Sequence, residues 1–239
     1  MPNILAKPDD FIAPPCHEEI EILYQDEAIL LINKPSGLLS LSGKNPANKD
    51  SVHFRLVQDY PTATLLHRLD FGTSGIMLVA LNKTINGVLT KQFQARTISK
   101  SYTALLYGNI VQDSGMIEAP IAKDVEHFPL QKICAISGKP AVSEYQVLAR
   151  EVMTQGNVDY RHASITRVKF VPVTGRTHQL RIHSLYLGHP IIGCDLYKFT
   201  SAEINTQSMA ARLMLHATEL GFDHPLTHER IEWHCPCPF

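Results

Sequence analysis

The residues best able to do chemistry cluster in His67-Arg68-Leu69-Asp70-Phe71-Gly72-Thr73-Ser74-Gly75. One aspartate stands among small residues, between an apolar approach and the apolar run Gly75–Leu81. That is where a loop held by a rigid sheet presents a catalytic group. Such a carboxylate can act as a nucleophile or take a proton. The plainer alternative is an Asx-type turn, with the carboxylate bonding the backbone of Thr73 or Ser74. Residue types alone leave both readings open. Two kinase-like strings, His-Arg-x-Asp and Asp70-Phe71-Gly72, overlap here, but a kinase keeps them apart and adds a glycine-rich loop, and G-x-G-x-x-G occurs nowhere. G-x-S-x-G, the P-loop and H-E-x-x-H are absent too, which removes the common hydrolase, NTPase and zinc-protease templates.

Charge supplies a second clue. The 239 residues carry 22 Lys and Arg against 23 Asp and Glu, a net charge of -1, which argues against indiscriminate binding to polyanions. The charges are segregated, however. Phe71 to Gln112 holds no acid but has Lys83, Lys91, Arg96 and Lys100. Tyr160 to Cys194 is also acid-free and has Arg161, Arg167, Lys169, Arg176 and Arg181, while the first sixty residues carry nine acids against five bases. Folded onto one face, the two basic runs would make a local field for RNA. Half-buried segments that happen to avoid acids would give the same pattern.

The five cysteines (16, 134, 194, 235, 237) include no C-x-x-C pair and fit reduced thiols. His234-Cys235-Pro236-Cys237, with His224 and His228 nearby, is the one metal-like feature. Because C-x-C is not the usual zinc knuckle, the expectation is a frayed, thiol-bearing terminus and no metal site. The start of the chain lacks the pattern of a secretory signal, and its apolar runs fall far short of the roughly 18 residues that span a bilayer. A soluble, cytoplasmic protein without membrane contact is expected.

The chemistry-bearing segments need elements to position them. Residues 1–19, rich in proline and acid, read as a surface arm. Glu21–Tyr24 and Ala28–Asn33 form a β-hairpin around Gln25-Asp26-Glu27, and Lys34-Pro35-Ser36-Gly37 forces a turn. A strand approaches His67 and Gly75–Leu81 is the strand that leaves. Asn82–Thr97 is a helix capped by Asn82, with Ile85, Val88, Leu89 and Phe93 at helical spacing. Ser101–Tyr107, Ser143–Leu148 and Ala163–Val173 are strands. Thr177–Leu187 is a second helix, with Leu180, Ser184 and Leu187 inward and Gly188 as its stop. The expected fold is α+β: a largely antiparallel mixed sheet with flanking helices and loops. Residues 20–239 are expected to form a single catalytic domain, with monomer as the default state.

His67-Arg-Leu-Asp70-Phe-Gly-Thr-Ser-Gly75 resembles the H-R-L-D-x-x-T-S-G motif of the RluA family of pseudouridine synthases. Four further segments resemble family motifs in the same order. They are Lys34-Pro35-Ser36-Gly37 (N-K-P-x-G), Lys100-Ser-Tyr102 (K-x-Y), Thr174-Gly-Arg176-Thr-His178-Gln179-Leu-Arg181 (T-G-R-x-H-Q-L-R), and Leu187-Gly-His189-Pro190-Ile-Ile-Gly193 followed by Asp195 (G-H-P-I-x-G-D). In the last, Cys194 intervenes before the aspartate. The resemblance covers about residues 20 to 220. Lys49-Asp-Ser-Val52, Asp59-Tyr-Pro61 and Phe128-Pro-Leu-Gln-Lys132 are most similar to the compact, dual-specificity members, which act on 23S ribosomal RNA and the tRNA anticodon stem-loop. Those members lack the appended N-terminal RNA-binding domain of many relatives, so the catalytic domain must hold the RNA itself.

The resemblance implies an isomerase that breaks the bond from uracil N1 to ribose, turns the base and rejoins it through C5, with no cofactor and no metal. The family's aspartate falls on Asp70, and attack on the sugar, attack on the ring, or removal of a ribose proton all fit. Arg181 corresponds to the arginine that keeps this carboxylate ionised and aimed, and Tyr102 to the tyrosine that packs on the base. Ile182 completes an apolar floor. Arg68 is placed to fill the space a flipped uridine vacates or to grip the backbone. Arg176 and His67 are further substrate-binding candidates, although His67 and His178 read as structural where catalysis is concerned. Thr73, Ser74 and Gly75 shape the loop. A non-catalytic RNA-binding relative is the rival reading and a zinc-dependent RNA enzyme a distant third, but Asp70, Tyr102 and Arg181 are all present.

Overall fold

The computed structural model describes residues 11–154, 162–199 and 204–239. Met1–Asp10 of the expected arm and Arg161 of the second basic run lie outside the described residues. In chain order the elements are β1 (Glu21–Gln25), β2 (Ile29–Lys34), α1 (Val52–Asp59), β3 (Thr64–Leu65), β4 (Ser74–Ala80), α2 (Lys83–Ala95), β5 (Ser99–Tyr107), β6 (Ser114–Glu118), β7 (Ile121–Lys123), β8 (Gln131–Ile133), β9 (Val142–Val152), β10 (Ser164–Pro172), α3 (Gln179–Tyr186), β11 (Leu215–Asp223) and β12 (Arg230–His234). They divide between two compact units. One comprises Phe11–Ser101 and His216–Phe239, the other Tyr102–Leu215. No helix among the described residues is long and apolar enough to cross a membrane.

In the first unit β4 is central. It pairs antiparallel with β2 and β3 and parallel with β11, while β1 extends β2 and β12 extends β11, both antiparallel. The core is built from runs that are apolar on both faces, Ala28–Ile32 and Ile76–Ala80, with Leu89, Leu220 and Phe222. A continuous apolar run is what a strand covered on both sides requires. Asp26 makes the β1–β2 turn, its Oδ1 accepting from Ala28 N–H at 2.7 Å and Ile29 N–H at 2.8 Å. Burial works to raise its pKa, but those two bonds, together with His224 and Tyr24, hold it below the usual carboxylate range.

Asn82 caps α2 as expected, accepting from Ile85 N–H at 3.0 Å. The helix stops two residues short of Thr97, because Arg96 turns left-handed at φ 59°. Helix α1 was not anticipated. Ser51 caps it, and only Val52 and Leu56 are buried, too sparse a pattern to announce a helix. The C-terminus is a correction. Instead of fraying it forms β12, and Cys235 follows buried, its N–H on the Thr218 carbonyl at 2.8 Å. Strand pairing with β11 holds the segment in place.

The second unit is an antiparallel sheet in the order β5-β10-β9-β6, with β7 and β8 as a separate antiparallel pair. Ala104, Leu106, Val168, Phe170, Leu180 and Ile182 are among its core residues. Helix α3 begins two residues later than expected, because His178 takes φ 56°. Gly188 ends it at φ +84°, the left-handed geometry that glycine adopts without strain. The mixed, mainly antiparallel pairing with few helices is the expected α+β architecture.

Candidate active site

In the first unit, the chain between β3 and β4 carries His67, Arg68 and Asp70. It has no regular structure, so its backbone groups need partners from elsewhere. The Thr73 N–H, which an Asx turn would give to a side chain, bonds the Asp70 main-chain carbonyl at 3.1 Å instead. The carbonyls around Asp70 are clamped by the segment after β2. Lys34 is fully buried, and its Nζ donates to the carbonyls of Pro35 (2.8 Å), Leu38 (2.6 Å) and Phe71 (3.3 Å). Gly37 N–H also reaches Phe71 O at 2.9 Å, in a turn that needs φ +76°. Ser36 Oγ donates to Gly72 O at 2.7 Å. Ser40 Oγ donates to Leu69 O at 2.7 Å and accepts from Leu69 N–H at 3.1 Å.

The far end of the loop is fixed against β11. Ser74 Oγ meets His216 Nδ1 at 2.8 Å, and at Gly75 (φ +113°) an added Cβ would lie 2.3 Å from the Ala217 carbonyl oxygen. Only glycine allows that approach. His67 Nε2 accepts from Leu78 N–H at 3.1 Å, and its ring lies 5.2 Å from that of Phe93. Burial, with the Lys100 charge adding to it, pushes the His67 pKa down to about 3, so the ring is neutral and fixes strand β4. Arg68 is exposed. The clamp made by Lys34, Ser36 and Ser40 was not foreseen: K-P-S-G was legible as a turn and as the segment that resembles N-K-P-x-G, and neither shows which carbonyls its lysine and serine hold.

The second unit carries Tyr102, Arg176, Arg181 and Ile182. Tyr102 lies on β5, opposite Phe170 of β10, half-buried against the core. The approach to α3 is organised by Gln179, which is 4% exposed. Its Oε1 accepts from Thr174 Oγ1 at 2.8 Å and from Arg176 N–H at 3.0 Å. Its Nε2 donates to Val142 O and Ser143 Oγ, each at 2.9 Å. Arg176 is half-buried, with Nε on Pro140 O at 3.0 Å, and Ile182 is buried in the core.

Arg181, on the first turn of α3, is buried rather than lying on the surface. Its Nε and Nη2 donate to Cys194 Sγ at 3.4 and 3.3 Å, Nη2 pairs with the Asp195 carboxylate, and the guanidinium lies 5.6 Å from the Tyr197 ring. His178 Nδ1 meets Tyr197 OH at 3.0 Å. The inserted cysteine is thus a ligand of the arginine, and Asp195 beside it supplies the charge. The irregular Gly193-Cys194-Asp195 was visible in the sequence, but its role was not. Among the described residues no group of three His, Cys, Asp or Glu side chains is placed to hold a metal ion. Burial pushes the Cys235 thiol up to about 11, away from the thiolate a metal would need.

Residues 28–186 match the family model for RNA pseudouridylate synthase. The chain belongs to the RNA pseudouridine synthase family. It is 44% identical over 218 residues to the dual-specificity RNA pseudouridine synthase RluA of Yersinia pestis, covering 91% of this chain and 99% of that protein. It is 41% identical over 226 residues to the protein of that name from Escherichia coli K12, covering 95% and 97%. The solved structure of human RNA pseudouridylate synthase domain containing 1 superposes with a TM-score of 0.75 at 30% identity, over 95% of this chain and 86% of that one. Pseudouridine synthases are isomerases acting on RNA, which sets the class of reaction.

Proposed function

We propose that this pseudouridine synthase converts uridine to pseudouridine in both 23S ribosomal RNA and the tRNA anticodon stem-loop. The relatives named for dual specificity support this breadth, since they match along nearly their whole length. The reaction cleaves the bond from N1 to C1′, turns the uracil, joins C5 to C1′, releases the C5 proton and leaves N1 protonated. Asp70 is the reacting carboxylate, Arg181 its cationic partner and Tyr102 the ring against the base. Ile182 is an apolar floor, and Arg68 and Arg176 serve RNA binding, Arg68 by entering the space left by the flipped uridine, while His67, its Nε2 taken by Leu78 N–H, supports β4 rather than the RNA. The observation that carries the assignment is the clamp on the main chain beside Asp70. Carbonyls of Leu69, Phe71 and Gly72 are each held by a side chain or N–H from residues 34–40, which spends buried hydrogen bonds on fixing one carboxylate.

The test is tritium release from RNA labelled at uridine C5. The wild-type protein should release tritium from both RNA classes, and Asp70→Asn should release none. Turnover surviving in Asp70→Asn would overturn the assignment. Arg68→Ala should lose more activity on folded RNA than on an isolated loop, and equal losses would remove its proposed role.

A further inference from the structure

The arm ahead of β1 has no regular structure, yet two side chains fasten it, and its Cys16 thiol adds a weak bond to Ser36 O at 3.7 Å. Asn48, 7% exposed, spends both ends of its amide on it, Nδ2 donating to Phe11 O at 2.6 Å and Oδ1 accepting from Ala13 N–H at 2.8 Å. Arg55 donates to Cys16 O and Glu18 O, each at 2.6 Å, and is itself held by a two-bond pair with Asp50 at 2.7 Å. Ordering a segment costs about 1–2 kcal/mol per residue, and this one builds no core of its own to offset that. What the two latches achieve is the placement of one ring. Phe11 meets Phe71, the residue after Asp70, edge to face at 5.7 Å and 80°, and still leaves 53% of its surface exposed.

We propose that the latched arm presents Phe11 as a stacking surface for a nucleotide that flanks the target uridine. A flat, rigid aromatic face beside the loop that carries the carboxylate is how single-stranded RNA bases are held, and stacking tolerates any base. This inference rests on Asp70 being the reacting carboxylate. A ring needed only to buttress Phe71 would have no use for an open face.

The test uses the full chain carrying Asp70→Asn, so that binding is read without turnover. The probe is an anticodon stem-loop RNA with 2-aminopurine beside the modified uridine. The parent should quench the 2-aminopurine on binding. Phe11→Leu should lose the quench and bind about tenfold more weakly, while Phe11→Trp keeps both. Asn48→Ala with Arg55→Ala should reproduce the Phe11→Leu result at unchanged ring chemistry. Equal quench and affinity in Phe11→Leu would overturn the proposal, and so would equal losses in Leu and Trp, which would mark a packing role. Tritium release by Asp70→Asn would overturn the catalytic reading instead, and is measured separately.

Discussion

Asp70 and Arg181 are held by different mixtures of near and distant bonds. The loop around Asp70 is fixed from far away in sequence, by Ser40, Ser36 and Lys34, which act across 29, 36 and 37 residues. The approach to Arg181 is fixed from near and far together, since Gln179 binds Thr174 and Arg176 across five and three residues and Val142 and Ser143 across 37 and 36. Long-range clamping makes the loop's geometry a property of the folded sheet, while α3 and its leading turn combine local bonds with ties to Val142 and Ser143. The two regions should therefore fail differently.

The largest effect is expected at Lys34. Lys34→Met keeps the apolar stem but takes the Nζ donor from the buried carbonyls of Pro35 and Leu38, at about 1–3 kcal/mol for each unsatisfied group, while Phe71 O keeps the Gly37 N–H. A stability loss of at least about 2 kcal/mol should follow, read by urea unfolding. Trp233, the one tryptophan, lies on β12 of the same unit and reports it. A loss under about 1 kcal/mol would mean that the loop is not held by distant partners.

Gln179→Ala comes next. It removes four hydrogen bonds, but two of their partners, the hydroxyls of Thr174 and Ser143, can turn to others. About 2 kcal/mol is expected, with the α3 approach disordered in amide exchange while Trp233 is undisturbed. A matching shift at Trp233 would erase the contrast between the two regions.

The third effect is a pH slope in the first unit. The His67 pKa in the folded protein is about 3, below the ordinary 6.5, so the unfolded chain binds the extra proton more readily. Its contribution to stability is fully present above pH 6.5 and is lost as pH falls towards 3. Between pH 7 and 5 the loss should be about 1 kcal/mol, given that the ring is half-buried rather than sealed from water. His67→Gln should flatten the Trp233 unfolding midpoint over that range. An unchanged slope would show that another group titrates.

The same contrast explains what could be read from the sequence. Asn82 and α2, Gly188 and the end of α3, and the Asp26 turn were legible because their physics is local: a cap, a left-handed glycine, a carboxylate bonding the next two N–H groups. Asp70, Tyr102 and Arg181 were legible as motifs. Their surroundings were not, since nothing in the string K-P-S-G says that its lysine will be buried against Phe71, and nothing in G-C-D says that its thiol will face Arg181. Strand β12 was missed for another reason: its partner β11 is near, with Asp223 opposite Arg230, but Arg230–His234 alternates exposed and half-buried residues and offers no apolar run.

The smallest change is Ser36→Ala. Ser36 is half-buried and gives one hydrogen bond, to Gly72 O, so water can replace it and the cost to stability should stay within about 1 kcal/mol. Its effect on rate separates a clamp that merely stabilises from one that aims. Gly72 is two residues from Asp70, and a carbonyl released there lets the loop carry the carboxylate off its line of approach. Misplacement by a fraction of an ångström lowers kcat with little change in KM, because the RNA is bound by other groups. About a tenfold fall in kcat at constant KM is expected, recoverable in Ser36→Thr, which restores the hydroxyl. If kcat and KM both hold, Lys34 and Ser40 alone fix the loop, and its long-range support is narrower than the hydrogen bonds suggest.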